Sequence, residues 1–508
     1  MYTADIWWIW LNIGIIAAAY ASAGIAMLFI KPDSPATLKE KPKARPEPKP
    51  KSKPLRGQKP VRGIKRNMQR PEPITLVKPA KKKSRKRFFI VCAIAAAALI
   101  VLLVTLNSIK TNQEIAEWFT RNVSRWFVEF GGRVASVFPW VSLFEVLILA
   151  GILVGIALVV RLILSLKKRR YLLVLKALAV AAVIVLAAVN YYTVCAGFSY
   201  YRADLALPMA DRTAAAATYR GEKVLEAADW FYEDFIAVSK EMDKLRDEKG
   251  NTKSPYTPQQ LSKKLQKEFK RLDGNGYFFK YTPRAKVIQN SWFMSSTRIS
   301  GIAFLPGGEP NINGMPHSTS FPQVMAHEIA HTKGVMRENE ANLVSYYVLL
   351  TSLDPYLRYC GYLETITWMR TAAGYGGNLD ADGKLLDPSG YFDDTGDLDP
   401  GGKNFSRYSQ MYPLNATIEG YQMWKFWSEY KSPLQWADDL LEKAGEFFND
   451  LYLKLSGVKE GTDSYRQPDN PPVYIPPPKP TDPPAYSLSY NEIQRIFFMI
   501  YEERAGKG

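Results

Sequence analysis

The chain has 508 residues, and its 66 lysines and arginines outnumber its 49 acidic residues to give a net charge of +17. Three cysteines are too few for a disulfide framework, so a small disulfide-stabilised scaffold is excluded. Residues 31–87 hold 21 basic and 4 acidic side chains, which is the whole net charge. The basic character therefore belongs to one linker, and the rest of the chain is electrically balanced.

Four apolar stretches are long enough to cross a bilayer core of roughly 30 Å. They are residues 6–30, 88–106, 141–166 and 171–196. The first stretch could instead be a signal peptide, but no basic region precedes it, so we expect a true span. The linker between the first two spans is rich in lysine and proline, which favours disorder.

The basic residues predict the orientation of these spans. By the positive-inside rule, the linker at 31–87 and the basic turn at 167–170 stay in the cytoplasm. Nucleic acid is an alternative partner for the linker, but its place between two spans favours contacts with anionic lipid head groups, and we expect no nucleic-acid partner. Residues 197–508 then lie outside the cytoplasm. Residues 107–140 form an external segment whose aromatic side chains suit the membrane interface.

The sequence after the last span predicts a mostly helical domain with a small sheet. Residues 283–305 alternate enough to form two or three strands. Thr257 with Gln260 has the spacing of a capping box at a helix start. Helical periodicity covers residues 221–249, 258–272, 354–373, 416–431 and 433–456.

The string His327-Glu328-Ile329-Ala330-His331 carries the most specific chemistry in the chain, which has only three histidines. On a helix, positions i and i+4 share a face, so the two histidines can bind one metal ion with Glu328 beside them as a general base. Ser320 with Gln323 predicts a capping box at the start of this helix. Gly334 suits its end, because glycine tolerates a positive φ.

A catalytic zinc ion needs a third protein ligand and an open fourth position. A second helix is predicted after Gly334, with acidic residues in its first turn. Glu338 and Asn342 are four residues apart on one face, whereas Glu340 points elsewhere. We therefore expect Glu338 to be the third ligand and Asn342 to orient a ligating histidine, with Glu340 as the fallback ligand.

The string from His327 to Asn342, HEIAHTKGVMRENEAN, resembles a bacterial family of multi-pass membrane proteins designated domain of unknown function 3810, whose members carry HExxH followed by R-E-x-E-A-N. Its E-x-x-A-N part is also similar to the E-x-x-A-D that supplies the third metal ligand in membrane-bound CAAX-type endopeptidases, which implies the same role for Glu338. The resemblance covers most of residues 88–465. It includes residues 299–306, 309–313, 359–363, 449–454 and 463–465.

The predicted fold class is an α-helical membrane region with four transmembrane helices, joined to an α+β, mostly helical, zincin-like metallopeptidase domain. The predicted divisions are a first transmembrane helix at 1–30, a disordered cytoplasmic linker at 31–87, three transmembrane helices at 88–196, an extracytoplasmic zincin-like domain at 197–465, and a proline-rich strap with a C-terminal helix at 466–508.

The predicted function is that of a membrane-anchored zinc endopeptidase acting on envelope or secreted proteins. Zinc would lower the pKa of its bound water and polarise a scissile carbonyl, and Glu328 would carry the proton. The alternative is a non-catalytic envelope or signalling protein that zinc only stabilises, but such a site has no use for Glu328. Candidates for the group that stabilises the oxyanion are Tyr346, Tyr347, Tyr362 and His317.

Overall fold

The computed structural model describes residues 81–205, 222–376, 403–456 and 492–505. The first predicted span, nearly all of the basic linker and most of the proline-rich strap lie outside the described residues. The chain divides into two compact units: residues 1–99 with 165–187, and residues 100–164 with 188–508.

Within the described residues, five α-helices belong to the predicted membrane region. They are α1 (Lys81–Ile109), α2 (Gln113–Phe119), α3 (Arg125–Ala135), α4 (Leu143–Lys167) and α5 (Tyr171–Tyr192). By length and composition, α1, α4 and α5 can each cross a membrane. The most apolar stretch of α4 has none of its residues buried inside the protein. A helix that is apolar on every side and uncovered by protein is suited to lipid surroundings.

In the first unit, α1 and α5 pack against each other. The Lys176 ammonium lies 5.4 Å from the centre of the Phe88 ring near the start of both helices. Further along, Leu99 shares a buried cluster with Ala187, so the two helices run in the same direction. This unit also contains the basic turn at residues 167–170. The basic residues at the start of α1 and those just before α5 therefore occur at the same end of the helix pair.

The described part of the second unit is mostly helical and contains one small sheet. Its strands are β1 (Lys286–Ile288), β2 (Gly301–Phe304) and β3 (Glu309–Asn313). The strand order is β1-β3-β2, with β1 parallel and β2 antiparallel to β3. Its further helices, in chain order, are α6 (Glu222–Met242), α7 (Pro258–Phe269), α8 (Ser291–Ser296), α9 (Phe321–Thr332), α10 (Glu338–Leu350), α11 (Pro355–Gly376), α12 (Lys403–Met411), α13 (Leu414–Glu429), α14 (Asp438–Ser456) and α15 (Glu492–Ala505).

The core of the second unit explains why α9 and α10 are held firmly. Met325, Ile329 and Val344 are completely buried in one large cluster that also includes side chains from α6, α11 and α15. Both helices are short, and short helices gain most of their stability from such packing. The metal-binding motif therefore lies on a helix that tertiary contacts hold on its apolar side.

The structure confirms one of the two predicted capping boxes and changes the bounds of several predicted elements. The capping box of Thr257 and Gln260 is present, but the one predicted for Ser320 and Gln323 is wrong. A 3₁₀ turn runs directly into α9, so Ser320 has a helical backbone, and its hydroxyl donates to the carbonyl of His317. The segment 283–305 contains two strands, β1 and β2, and the helix α8, while the third strand follows it. The helix expected over 221–249 ends at Met242.

Candidate metal centre

The HExxH motif lies on α9, as the sequence predicts. Its two imidazole rings are nearly perpendicular, with their centres 4.6 Å apart. Gly334 follows the helix with a φ of +90°, a conformation that favours glycine. Its carbonyl accepts a hydrogen bond from the buried Arg202, whose guanidinium also pairs with Glu117 of α2. The end of the motif helix is therefore fixed by both its backbone turn and the ion-paired, buried Arg202.

Three possible metal ligands meet at one point. His327 Nε2 lies 3.0 Å from His331 Nε2 and 3.0 Å from Glu338 Oε2. The distance from His331 Nε2 to Glu338 Oε2 is 3.4 Å. Ligands at the corners of a tetrahedron around zinc, each about 2.0–2.1 Å from the metal, are about 3.3 Å apart. The spacing of the three atoms is thus close to that of a zinc site.

The remaining ring nitrogens determine which atoms face the site. His331 Nδ1 lies 2.8 Å from the carbonyl oxygen of Val335, which can only accept a hydrogen bond. His327 Nδ1 lies 2.8 Å from Asn342 Oδ1, which also faces the side-chain amide of Gln323. Because both Nδ1 atoms donate, the Nε2 of each neutral ring presents a lone pair. Two lone pairs and one carboxylate then converge, which is the donor set that a divalent metal requires.

The charges of the metal-free site are consistent with this arrangement. Burial alone would raise the pKa of Glu338, but the adjacent imidazoles lower it to about 2. Burial alone would lower the pKa of His331, but the Glu338 carboxylate raises it to about 9. At neutral pH without metal, the His331 imidazole therefore carries an extra proton and the Glu338 carboxylate carries a negative charge. A bound metal would take the place of that proton.

Glu328 lies beside the three atoms and against strand β2. Burial raises the pKa of Glu328 to about 7, although the two imidazoles oppose this. A backbone hydrogen bond from Ala303 reaches its carboxylate. A Cβ atom added to Gly301 would lie only 2.7 Å from the Cγ of Glu328. Position 301 therefore has room for glycine alone while Glu328 keeps this place.

Gly301 was not among the site residues predicted from the sequence. A glycine weakens a strand, so a glycine at the start of a short apolar strand commonly marks a close approach of another group. That signal was present in the sequence, but its partner could not be identified without the fold. The close approach is made by the Glu328 side chain.

Glu340, the fallback ligand, does not contact the candidate metal centre and has other partners. Glu340 accepts hydrogen bonds from Arg337 and from the backbone N–H of Leu205. In the described part of the chain, the cluster of possible metal ligands consists of His327, His331 and Glu338. The structure thus brings the three predicted ligands together, and Asn342 contacts His327 on the side away from the other two. The metal-binding role of these residues stays a prediction.

Two of the candidates for stabilising the oxyanion have other partners. The Tyr362 hydroxyl donates to Asp234 at 2.6 Å. His317 caps a 3₁₀ turn, where its Nδ1 lies 2.7 Å from the Thr319 hydroxyl. Neither contact is with a residue of the metal cluster.

Comparison with protein families bears on this site. The model of the family described as "Protein of unknown function (DUF3810)" matches residues 119–375, which is half of the chain. The chain belongs to the DUF3810 family. The DUF3810 region includes α9, α10 and all three strands, so the whole candidate metal centre falls within it. No curated protein and no solved structure matches the chain.

Proposed function

We propose that this DUF3810 protein is a membrane-anchored zinc endopeptidase with a zincin-like catalytic domain. The observation that carries the proposal is the convergence of two imidazole lone pairs and the Glu338 carboxylate, with Glu328 next to them. A structural zinc site commonly uses cysteine and closes all four positions. Here three ligands come from the protein, and the neighbouring acid is suited to proton transfer.

The proposed roles follow from the position of each side chain. His327, His331 and Glu338 would hold the zinc ion, and Asn342 would orient His327 through its Nδ1 atom. Zinc would supply Lewis acidity that polarises a peptide carbonyl. Glu328 would accept a proton from the attacking water and deliver it to the leaving amine. Its pKa, which burial raises to about 7, suits both steps at neutral pH.

The strand β2 is suited to hold an extended substrate. The N–H of Asn313 donates to the carbonyl of Ser300 at 2.8 Å, which fixes the alternation of backbone groups between β2 and β3. The backbone groups of Gly301 and the carbonyl of Ala303 therefore point away from β3, towards the outer edge of the sheet, whereas the Ala303 N–H is already bonded to Glu328. Pro310 pairs with Ala303, where β3 needs no N–H donor. An extended peptide can add to this edge by backbone hydrogen bonds.

The proposed location is a bacterial cell membrane crossed several times, with the catalytic domain outside the cytoplasm. Support comes from the three apolar helices and from the basic residues gathered in the first unit at the start of α1 and α5. Positive charge of this kind marks the cytoplasmic end. The linker at 31–87 would contact anionic lipid head groups on that side.

The test compares the wild type with Glu328→Gln in the full-length protein. The glutamine is nearly isosteric and leaves all three proposed ligands in place, so zinc content should be unchanged. Loss of the base should reduce peptide hydrolysis by at least 10²-fold. A proteomic comparison of wild-type and Glu328→Gln envelopes would identify the substrates as proteins that lose their cleavage products. If hydrolysis by the zinc-loaded variant equals that of the wild type, the site is non-catalytic and zinc only stabilises the fold.

A further inference from the structure

We propose that the substrate is itself anchored in the membrane and is cut in the few residues next to its membrane span, on the side of the catalytic domain. This inference rests on the proposed peptidase function and names its substrate class. It follows from the short path that joins Glu328 to the first turn of helix α4, the proposed membrane span.

Strand β2 makes that path. At one end, Gly301 lies against the Glu328 side chain. Three residues later, the Phe304 ring lies 5.3 Å from the ring of Phe144, the second residue of α4. A strand rises by about 3.3 Å per residue, so this path is about 10 Å long. The general base is therefore separated from the start of the proposed span by about the length of three extended residues.

Buried polar contacts fix this distance by joining the sheet to the start of α4. The Glu309 carboxylate of β3 accepts from the Ser142 hydroxyl at 2.9 Å and from the N–H of Leu143 at 3.0 Å. The Lys286 ammonium of β1 pairs with Glu309 at 3.0 Å and donates to the carbonyl of Val141. Both charged side chains are buried. An acid at a helix N-terminus satisfies free N–H groups and interacts favourably with the helix dipole.

A second set of polar contacts, at the protein surface, lies further along the sheet. The Glu145 carboxylate, in the first turn of α4, accepts from the backbone N–H groups of Gln289 and Asn290 at 2.9 and 2.8 Å. These residues join β1 to α8. Two strands and one connecting loop of the sheet are thus bonded to the first turn of α4 or to the two residues before it. The sheet cannot move away from the proposed membrane surface without breaking several buried hydrogen bonds.

Helix α3 indicates that the membrane surface lies on the same side of the sheet as the start of α4. Its residues Trp126 and Phe130 lie four apart on one face, and each is 67% exposed. Its opposite face packs on the turn that follows β2, where a Cβ atom on Gly131 would lie 2.7 Å from the carbonyl carbon of Gly307. Exposed aromatic side chains on an amphipathic helix between two spans suit the lipid interface. The turn after β2 is therefore covered by a helix whose outer face suits lipid.

These contacts restrict which peptide bonds can reach Glu328. A peptide that pairs with the outer edge of β2 lies along the line from Glu328 to Phe144. A membrane-anchored chain leaving the bilayer beside α4 meets this edge directly, and about three to five extended residues bring it level with Glu328. A bond much farther from the membrane would require the anchored chain to fold back.

The test uses full-length protein in proteoliposomes with a single-span reporter protein. In one form, a randomised 20-residue linker follows the span directly. In the matched control, a helical spacer of 20 residues separates the same linker from the same span by about 30 Å. Both reporters have the same concentration in the membrane, so only the distance differs. Mass spectrometry identifies the cut positions, and Glu328→Gln provides the background.

We expect cuts within about the first six residues after the span, and at least a tenfold loss of cleavage in the spaced reporter. Equal cleavage of both reporters, or cuts spread evenly along the linker, would overturn the juxtamembrane assignment while leaving the peptidase proposal intact. If neither reporter is cut above the Glu328→Gln background, while the wild type still cuts soluble peptides, the juxtamembrane assignment is again wrong. If no peptide of either kind is cut, the peptidase proposal fails and this inference fails with it.

Discussion

Asn342 Oδ1 lies 2.8 Å from His327 Nδ1, and this contact joins α10 to the motif helix one turn after the Glu338 carboxylate. The amide oxygen receives the ring hydrogen, which keeps Nε2 free and aimed at His331 and Glu338. A residue outside the cluster of possible ligands thus determines which nitrogen of His327 faces the site.

Asn342→Ala should weaken zinc binding without abolishing it. Loss of the hydrogen bond frees the His327 ring to rotate and to change its tautomer, and contacts of this kind are typically worth 10–100-fold in metal affinity. Competition with a chelator measures the zinc Kd. Asn342→Asp, which retains an acceptor, should recover most of the affinity. An unchanged Kd in Asn342→Ala would remove the orienting role of this residue.

Gly301→Ala should abolish hydrolysis while zinc remains bound. The new methyl group would lie 2.7 Å from the Cγ of Glu328 and would displace this carboxylate, but it does not replace a ligand. Gly420→Ala on α13 is the matched control, because the added Cβ meets nothing within 4 Å and alanine favours a helix. Rates and zinc content are measured for both. Normal turnover by Gly301→Ala would contradict the position of Glu328 against β2.

Zinc affinity should depend on pH below about 9. The Glu338 carboxylate raises the pKa of His331 to about 9 in the metal-free protein, so a proton competes with zinc at lower pH. The zinc Kd should increase about tenfold for each pH unit below 9 and level off above it. Glu340→Gln should keep this dependence, because Glu340 faces Arg337 and the backbone of Leu205. A Kd that is constant between pH 6 and 9 would contradict the prediction.

The catalytic domain should be digested when protease is added to intact spheroplasts. Translocating the basic linker instead would move its net positive charge against the membrane potential, at about 2.3 kcal/mol per charge for each 100 mV. A cytosolic protein serves as the control and should stay intact. Protection of residues 197–508 under these conditions would show that the domain faces the cytoplasm and that its substrates are cytoplasmic.

The sequence predicted those features that depend on spacing along the chain. Residues four apart on a helix share a face, which was enough to place His327 with His331 and Glu338 with Asn342. Gly334 was identified by its position at the helix end, and three helices able to cross a membrane were identified by their length and apolar character. Each of these predictions follows from a local rule, so it needs no knowledge of the fold.

Features that depend on contacts between distant segments could not be predicted in the same way. The contact of Gly301 with Glu328, and that of Glu309 with the start of α4, join residues 27 and more than 160 positions apart. The capping box at Ser320 failed because a preceding turn, fixed by His317, changed its backbone. Local spacing cannot reveal such competition between neighbouring turns.

The central claim is that His327, His331 and Glu338 bind one zinc ion. The most direct measurement is the zinc content of purified full-length wild type, Glu328→Gln and His331→Ala, with thermal unfolding of each to show that it is folded. We predict close to one zinc per chain in the wild type and in Glu328→Gln, and almost none in folded His331→Ala. Equal zinc content in the wild type and His331→Ala, or a folded wild type that binds no zinc when the metal is supplied, would contradict the claim.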